Sequence, residues 1–192
     1  MSYLNREERR EIILQAAMRV ALEEGFTAMT VRRIASVANV AAGQVHHHFA
    51  SVNELRAHAF IRLIRTLLDA DVVAQDATWR ERLHSMLGSQ EGGLEPYIQL
   101  WREAQLLAMK EPDIKGAYVL TMEMWHVEVV NIIRQGYEAG EFTVADKVED
   151  VAWRLIALVC GLDGIHVLGM MQVDGDAFAR HLDRVIALEL FR

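Results

Sequence analysis

Residues 28–55 have the sequence AMTVRRIASVANVAAGQVHHHFASVNEL, which predicts two short helices joined by a tight turn. Thr30 can cap the first helix by accepting a backbone N–H. The apolar residues that follow repeat at helical spacing and predict a buried stripe: Val31, Ile34, Ala35 and Ala38. Asn39 comes directly after this stripe, and Asn tolerates the left-handed backbone that ends many helices. The chain is therefore expected to turn at Asn39.

The second helix of this stretch is expected to begin at Ala42 or Gly43. Val45 and Phe49 share its inner face, because residues four apart lie on the same side of a helix. The outward side chains are Gln44, His46 and His47. A helix, a tight turn and a second helix with a polar outer face is typical of a helix-turn-helix, whose second helix can enter a major groove of DNA. An ordinary αα-hairpin has the same spacing, so the pattern alone leaves both interpretations open.

A longer ordered pattern surrounds this stretch and decides between the two interpretations. Its members are Ile13, Ala16, Ala17, Gly25, Phe26, Thr30, Val31, Ile34, Ala35, Val37, Ala38, Val40, Gly43, Val45, His48, Phe49, Ser51, Glu54 and Leu55. The pattern resembles the amino-terminal DNA-binding domain of the TetR family of transcriptional regulators. This resemblance implies a helix-turn-helix regulator that dimerises through its last two helices.

Four positions depart from what that family usually has. Asn39 stands where Gly is common, and Ala41 replaces a Ser or Thr, so a capping hydroxyl typically worth about 1 kcal/mol is missing. His46 and Val52 replace a Tyr and a Lys that tend to touch DNA phosphate in the family. An alternative function therefore stays open, namely a ligand-binding or interaction module whose DNA binding is weak or lost.

Composition and charge fit a helical DNA-binding protein. The chain has 192 residues, is 52% hydrophobic and contains only two prolines, which favours helix and a substantial core. The single Cys160 excludes an internal disulfide, and no apolar run reaches the roughly 18 residues of a membrane span. We expect a cytoplasmic protein that does not enter a membrane. The net charge of −7 is unevenly distributed along the chain. Residues 1–65 hold nine Arg against six acids, whereas residues 66–192 hold 11 basic against 21 acidic groups. The excess of positive charge therefore lies in the amino-terminal part.

Helical spacing over the rest of the chain predicts an all-α fold of about nine helices. Besides the two described above, the expected helices cover residues 6–24, 51–74, 79–87, 94–110, 113–139, 146–171 and 176–191. We assign residues 1–50 to a three-helix helix-turn-helix domain and residues 51–75 to a connecting helix. Residues 76–192 are assigned to a larger domain that binds a ligand and forms a dimer.

The predicted DNA contacts lie on and around the two short helices. Gln44 is expected to read a base, because its amide can pair with adenine through two hydrogen bonds. The other predicted contacts are Thr30, Arg32, Arg33, Ala42, Gly43, His46 and His47. Three consecutive histidines invite a metal interpretation, but neighbouring residues on a helix point about 100° apart and cannot converge on one ion. We expect His48 to pack near the fourth helix, and protonation of the other two below about pH 6.5 to strengthen phosphate binding.

Aromatic, Met and polar residues of the larger domain are candidates for a ligand site. They are Tyr97, Trp101, Gln105, Met122, Trp125, His126, Asp163 and His166. Such residues at helical spacing usually form core. The functional alternative is a pocket between helices that takes an apolar or cationic amphipathic effector, since Trp faces and a carboxylate suit a cation.

Excess apolar surface on the last two helices predicts a homodimer. The candidate residues are Leu155, Val159, Leu162, Phe178, Leu182, Val185 and Ile186. They can instead fill the core of one copy, but a helix-turn-helix protein normally needs two half-sites. The sequences GYEAGEF at 136–142 and GLDG at 161–164 are similar to the choline-responsive repressor subgroup of the TetR family.

The sequence contains no nucleophile elbow, phosphate-binding glycine loop or zinc-binding helix motif, and we predict no metal or cofactor. A small helical enzyme using Cys160 or His166 is the weaker alternative. The predicted function is a dimeric repressor that binds a pseudo-palindromic operator in double-stranded DNA. A small-molecule effector is expected to release it by shifting the fourth helix.

Overall fold

The computed structural model describes residues 5–70, 73–88, 94–170 and 174–191. These ranges contain nine α-helices, one 3₁₀ turn at Phe26–Ala28 and no strand, so the predicted all-α class is confirmed. The helices are α1 Arg6–Glu24, α2 Val31–Ala38, α3 Ala42–His48, α4 Val52–Leu68, α5 Trp79–Gly88, α6 Glu95–Ala108, α7 Pro112–Glu138, α8 Val148–His166 and α9 Gly175–Leu190. None of these helices is both long enough and apolar enough to cross a membrane.

The chain forms two compact units. The first unit consists of residues 1–69 and 92–122, which include α1 to α4, α6 and the first part of α7. The second unit consists of residues 70–91 and 123–192, which include α5, the rest of α7, α8 and α9. This division follows compactness, whereas the three functional domains predicted above were defined by role and stay a prediction.

Local capping signals set the bounds of the first helices. The Asn5 side chain and the Glu8 side chain cap each other's backbone N–H groups at the start of α1. Gly25 ends α1 with φ +81° and ψ 175°, a conformation that only Gly adopts readily. In α1, Ile13 and Leu14 are buried, whereas Ile12 is 37% exposed. The buried face of α1 is therefore centred on Ile13 and includes Leu14, whereas Ile12 lies outside it.

The helix-turn-helix forms as its cap residues predict. The Thr30 hydroxyl accepts the backbone N–H of Arg33 at 3.1 Å, which fixes the start of α2. Asn39 adopts the left-handed conformation with φ 53° and ends α2. Ala41 precedes α3 and gives it no side-chain cap, as the sequence indicated. The Ser51 hydroxyl accepts the Glu54 N–H at 3.0 Å and starts α4.

Two helices end at least five residues earlier than predicted, while the other helix ends lie within two residues of the prediction. Helix α4 stops at Leu68 rather than at residue 74, and α8 stops at His166 rather than at residue 171. The last buried residues of these helices are Ile64 and Leu162. Most helical stability in proteins comes from packing of the buried face, so an apolar sequence that no longer packs does not continue the helix.

The core of the first unit is built around α1 and α4. Its largest fully buried side chains are Phe26, Phe49, Phe60, Ile13, Met29, Ile34, Leu55 and Ile64. Four aromatic rings in contact connect the 3₁₀ turn to α7 within this unit. The distances between ring centroids are 5.7 Å for Phe26 and Phe60, 6.0 Å for Phe60 and Trp101, and 5.8 Å for Trp101 and Tyr118. The helix-turn-helix and α6 therefore share one core.

The core of the second unit lies where α8 packs against α9 and α5. Its buried residues include Leu83, Leu87, Val129, Ile133, Phe142, Val151, Leu155, Ile156, Leu182, Ile186 and Leu190. Gly136 lets the Phe142 ring approach so closely that no Cβ fits at that position. The turn after α7 is thereby held against the end of that helix.

Candidate nucleic-acid interface and effector region

Helix α3 presents a short polar surface. Ala42, Gly43, His46 and His47 are exposed, and Gln44 is half-buried. Val45 is 2% exposed and anchors the inner side of the helix. This exposed face agrees with the direction that the sequence predicts for His46 and His47.

The two arginines at the start of α2 differ in their surroundings. Arg32 is exposed, whereas Arg33 donates from Nε at 3.0 Å and from one terminal nitrogen at 2.7 Å to the carboxylate of Glu24. Hydrogen bonding to Arg33 lowers the pKa of Glu24 below its usual value. In the free protein Arg33 is therefore held by Glu24 of α1, which partly neutralises its charge.

Three arginines at the start of α1 lie close to α3, and the sequence interpretation missed them. Arg9 donates to the side-chain oxygen of Gln44 at 3.5 Å, and the guanidinium of Arg10 lies 4.3 Å from the centre of the Phe49 ring. Arg6, Arg9 and Arg10 recur at i, i+3 and i+4, a spacing that puts them on one face of α1. This spacing is visible in the sequence and could have identified the three arginines as one basic face.

His48 is the inward member of the histidine run. Its Nδ1 is buried without a hydrogen-bond partner in the described part of the chain. Burial lowers the pKa of His48, and the charges of His47 and the α1 arginines lower it further. Neutral His48 therefore packs beside α1. Across the described residues, no group of three or more His, Cys, Asp or Glu is placed to bind a metal.

Helix α6 contacts the junction between α1 and the 3₁₀ turn through Glu103. The Glu103 carboxylate accepts the backbone N–H of Phe26 at 2.8 Å, across 77 positions of sequence. A Cβ built at Gly25 would lie only 2.9 Å from Glu103 Oε1. The fit of Glu103 therefore depends on glycine at position 25.

A second connection joins the end of α6 to the helix-turn-helix. Arg56 of α4 donates from Nε to the carbonyl of Met29 at 3.3 Å, just before α2, and its terminal nitrogen lies 3.8 Å from Glu111. One Glu111 oxygen is buried and accepts no hydrogen bond from the described residues. Glu103 within α6 and Glu111 just after α6 are thus both tied to the segment that precedes α2.

Four of the eight predicted ligand residues lie in the first unit. Trp101 packs edge-on between Phe60 and Tyr118, Tyr97 and Met122 are half-buried, and Gln105 is exposed. A cleft of about 370 Å³, which includes solvent at its mouth, lies between the end of α1 and α6. Its described lining includes Glu24, Gly25 and Glu103 but none of the predicted ligand residues.

The other four predicted ligand residues lie in the second unit. The Trp125 indole N–H donates to the Met86 carbonyl at 3.0 Å. The His126 ring stacks on Trp153 with centroids 4.2 Å apart and its Nε2 lies 3.0 Å from the Glu149 carbonyl oxygen. Asp163 is half-buried and His166 is exposed. The eight residues are therefore divided equally between the two units.

Most of the predicted dimer residues are buried inside the chain itself. Leu155, Val159, Leu162, Leu182 and Ile186 are at most 9% exposed, while Phe178 and Val185 are half-buried. The same two helices expose other large apolar side chains: Trp153, Ile165 and Leu188.

The single cysteine, Cys160, lies on α8 with part of its surface exposed. Partial burial and the charge of Asp163 raise the pKa of its thiol. The reactive thiolate form is therefore disfavoured.

Comparisons with known proteins agree with this architecture. The family described as "Bacterial regulatory proteins, tetR family" matches residues 13–59, and the family described as "BetI-type transcriptional repressor, C-terminal" matches residues 79–190. The HTH-type transcriptional repressor KstR2 of Mycobacterium tuberculosis is 31% identical over 160 residues, which cover 77% of this chain and 76% of that protein.

Further relatives cover nearly the whole chain. The HTH-type transcriptional regulator BetI of Brucella abortus is 25% identical over 187 residues, which cover 95% of this chain and 91% of that protein. A protein from Saccharomonospora viridis, solved in complex with choline, matches with a TM-score of 0.73 and 25% identity over 97% of this chain and 100% of that one. The matches to both families and to a repressor over three quarters of the chain show that this protein is a transcriptional regulator of the TetR family and not an enzyme.

Proposed function

We propose that this regulator is a dimeric repressor that binds a pseudo-palindromic operator and leaves it when a small molecule binds. The observation that carries the proposal is the polar surface of α3, where His46 and His47 are exposed and Gln44 accepts a hydrogen bond from Arg9 of α1. Arg32 is exposed on the neighbouring α2. A helix with a polar outer face and cations on the helices next to it suits insertion into a major groove with phosphates along its edges.

Each DNA contact follows from its place on this surface. Gln44 reads a base, and Thr30 puts the first backbone N–H groups of α2 near phosphate. Ala42 and Gly43 are small and exposed, so the backbone of α3 can approach the DNA closely. The remaining contacts, to phosphate or base edges, are Arg32, Arg33, His46 and His47. Protein bound to chromosomal DNA in this way works in the cytoplasm.

The dimer is proposed to form through α8 and α9. Because most of the residues first assigned to it fill the core of one copy, we propose that the exposed Trp153, Ile165 and Leu188 contact the partner. A two-fold dimer presents two recognition helices to two half-sites, whose centres lie about 34 Å or a multiple of this distance apart.

The effector site is proposed on α6 and α7 of the first unit, near Trp101 and Tyr118. Aromatic faces attract a cationic group, and the Saccharomonospora viridis relative binds choline, a quaternary ammonium compound. Helix α6 also carries Glu103, which holds the Phe26 N–H. A ligand that moves Trp101 therefore moves the contact that positions the start of the helix-turn-helix. The ligand roles of Trp125, His126, Asp163 and His166 remain predictions.

The experiment is a selection of genomic DNA fragments by the full-length protein, repeated with Gln44→Ala. Wild-type protein is expected to recover one imperfect palindrome, and Gln44→Ala is expected to lose discrimination at one base pair of each half-site by a factor of about five or more. If folded wild-type protein recovers no common site, the alternative function of an interaction or ligand-binding module applies instead.

A further inference from the structure

Three arginines at the start of α1 lie beside α3, and none of them forms an ion pair with a carboxylate of the described residues. Arg6 is exposed, whereas Arg9 and Arg10 are half-buried. Arg9 donates to the Gln44 side-chain oxygen at 3.5 Å. The charges of all three arginines reach His48 and lower its pKa. A positively charged part of α1 therefore adjoins α3.

The acidic residues of the same part of α1 are engaged elsewhere. The Glu8 carboxylate accepts the backbone N–H of Asn5 at 2.8 Å, and the Glu11 carboxylate pairs with Arg62 of α4 at 2.8 Å. Glu7 is exposed and forms no ion pair with a described residue. No carboxylate in this part of α1 therefore neutralises the three arginines through a direct contact.

This arrangement of charge does not stabilise the free protein. Like charges at i, i+3 and i, i+4 on a helix repel each other. Cations near the amino-terminal end of a helix are also disfavoured, because the helix dipole is positive there. Both effects become favourable when an anion binds, and DNA phosphate is the anion that insertion of α3 into a groove brings to this surface.

The first turn of α4 offers phosphate no comparable charge. Residues 52–55 have the sequence VNEL, which contains one acid and no base. Arg56 in the next turn is directed inward, where it donates to the carbonyl of Met29 at 3.3 Å and lies 3.8 Å from Glu111. The cations available beside α3 are therefore those of α1 and the exposed Arg32 of α2.

We infer that Arg6 and Arg9 form a phosphate-binding surface on α1, which holds the DNA backbone next to the bases that α3 reads. This inference rests on the proposed function. A guanidinium has five N–H donors, so the contact of Arg9 with Gln44 leaves donors for a phosphate oxygen. Its planar fork can also bind one phosphate through two hydrogen bonds. Arg10 is held over the Phe49 ring at 4.3 Å and contributes through its charge.

The test is the salt dependence of DNA binding by the full-length protein, measured with the operator recovered in the selection and with an unrelated duplex of the same length. Each lost phosphate contact reduces the slope of log affinity against log salt by about 0.9 per chain, or about 1.8 for a dimer. Arg6→Gln and Arg9→Gln are each expected to show this reduction on the operator.

Arg19→Gln is the matched control and is expected to keep the wild-type slope. Arg19 is exposed on the same helix, and the substitution removes the same charge. It lies about 15 Å further along α1 than Arg9, which exceeds the Debye length of about 10 Å at 0.1 M salt.

Further measurements separate phosphate binding from a structural role. Arg6→Lys keeps a charge that can bind phosphate and should keep the wild-type slope. Arg6→Gln should not lower the thermal midpoint, because it removes a cation that repels its neighbours. Single operator phosphates are also replaced by neutral methylphosphonates. In each half-site, one phosphate that wild-type protein needs should lose its effect in Arg6→Gln, and a different one should lose its effect in Arg9→Gln.

The outcomes distinguish this inference from the function on which it rests. If Arg6→Gln and Arg9→Gln have the same slope on the operator as Arg19→Gln, the phosphate role is overturned and the regulator stays intact. If folded protein recovers no operator, the proposed function fails, but the unrelated duplex still tests the α1 surface. A slope reduced by about 0.9 or more in both variants would then support the inference, and an unchanged slope would overturn it.

Discussion

Replacing Gly25 by alanine tests how tightly α6 is bound to the DNA-binding region. Gly25 has φ +81° and ψ 175°, a region that non-glycine residues enter at about 1–3 kcal/mol. The new Cβ would also lie 2.9 Å from Glu103 Oε1. We expect the carboxylate to move away from this Cβ and to lose the 2.8 Å bond from the Phe26 N–H, and a hydrogen bond to a charged group contributes about 1.5–3 kcal/mol.

Both effects together predict a loss of about 2.5–6 kcal/mol in the free energy of unfolding. For a chain of this length, 1 kcal/mol shifts the thermal midpoint by about 2–4 °C, so Gly25→Ala should lower it by at least about 5 °C. Gly140→Ala is the control, because Gly140 has φ +77° and nothing within 4 Å of the added Cβ. It should lose only about 1–2 kcal/mol.

The measurement is thermal or urea unfolding of the two single variants, Glu103→Ser and the Gly25→Ala/Glu103→Ser double variant. Serine is too short to reach either position 25 or Phe26, so in its background Gly25→Ala should retain only the backbone part of the loss. The reasoning is refuted if Gly25→Ala loses no more stability than Gly140→Ala, or if its effect is the same with and without Glu103.

Two further predictions concern charge. Glu24→Gln releases Arg33 for phosphate in both chains of the dimer, so the slope of log affinity against log salt should steepen by about 1.8, or about 0.9 per chain. Glu23→Gln next to it should not change the slope, and equal slopes for the two variants would contradict the role of the ion pair. His48 has a lowered pKa in the folded state, so the unfolded chain takes up a proton first and stability falls as pH drops below about 6.5. Over pH 7.5 to 5.5 the thermal midpoint of His48→Gln should fall less than that of wild type or His46→Gln, and identical curves would show that His48 is not responsible.

The local features of the DNA-binding region were predictable from sequence because their causes are local. Thr30 and Asn39 set the two ends of α2 through their own backbone and nearest neighbours. The bounds of α1 follow in the same way from Asn5 and Gly25. A single sequence is sufficient where a cap or a left-handed residue determines the structure.

Features that depend on distant segments were missed or misplaced. Helices α4 and α8 stop where burial stops, which depends on what packs against them. The contacts of Arg9 with Gln44 and of Glu103 with Phe26 join residues 35 and 77 positions apart, and no periodicity within one helix encodes such a pair. The adenine pairing expected for Gln44 was inferred from that side chain alone and stays a prediction.

The most direct test of the central claim is the ratio of operator affinity to non-specific DNA affinity for wild-type protein near physiological salt. A dimer that reads bases through Gln44 should bind the selected operator at least about 10³-fold more tightly than unrelated DNA of the same length, with two chains per site. A ratio near one, measured with folded protein, would contradict the claim that α3 recognises a specific sequence.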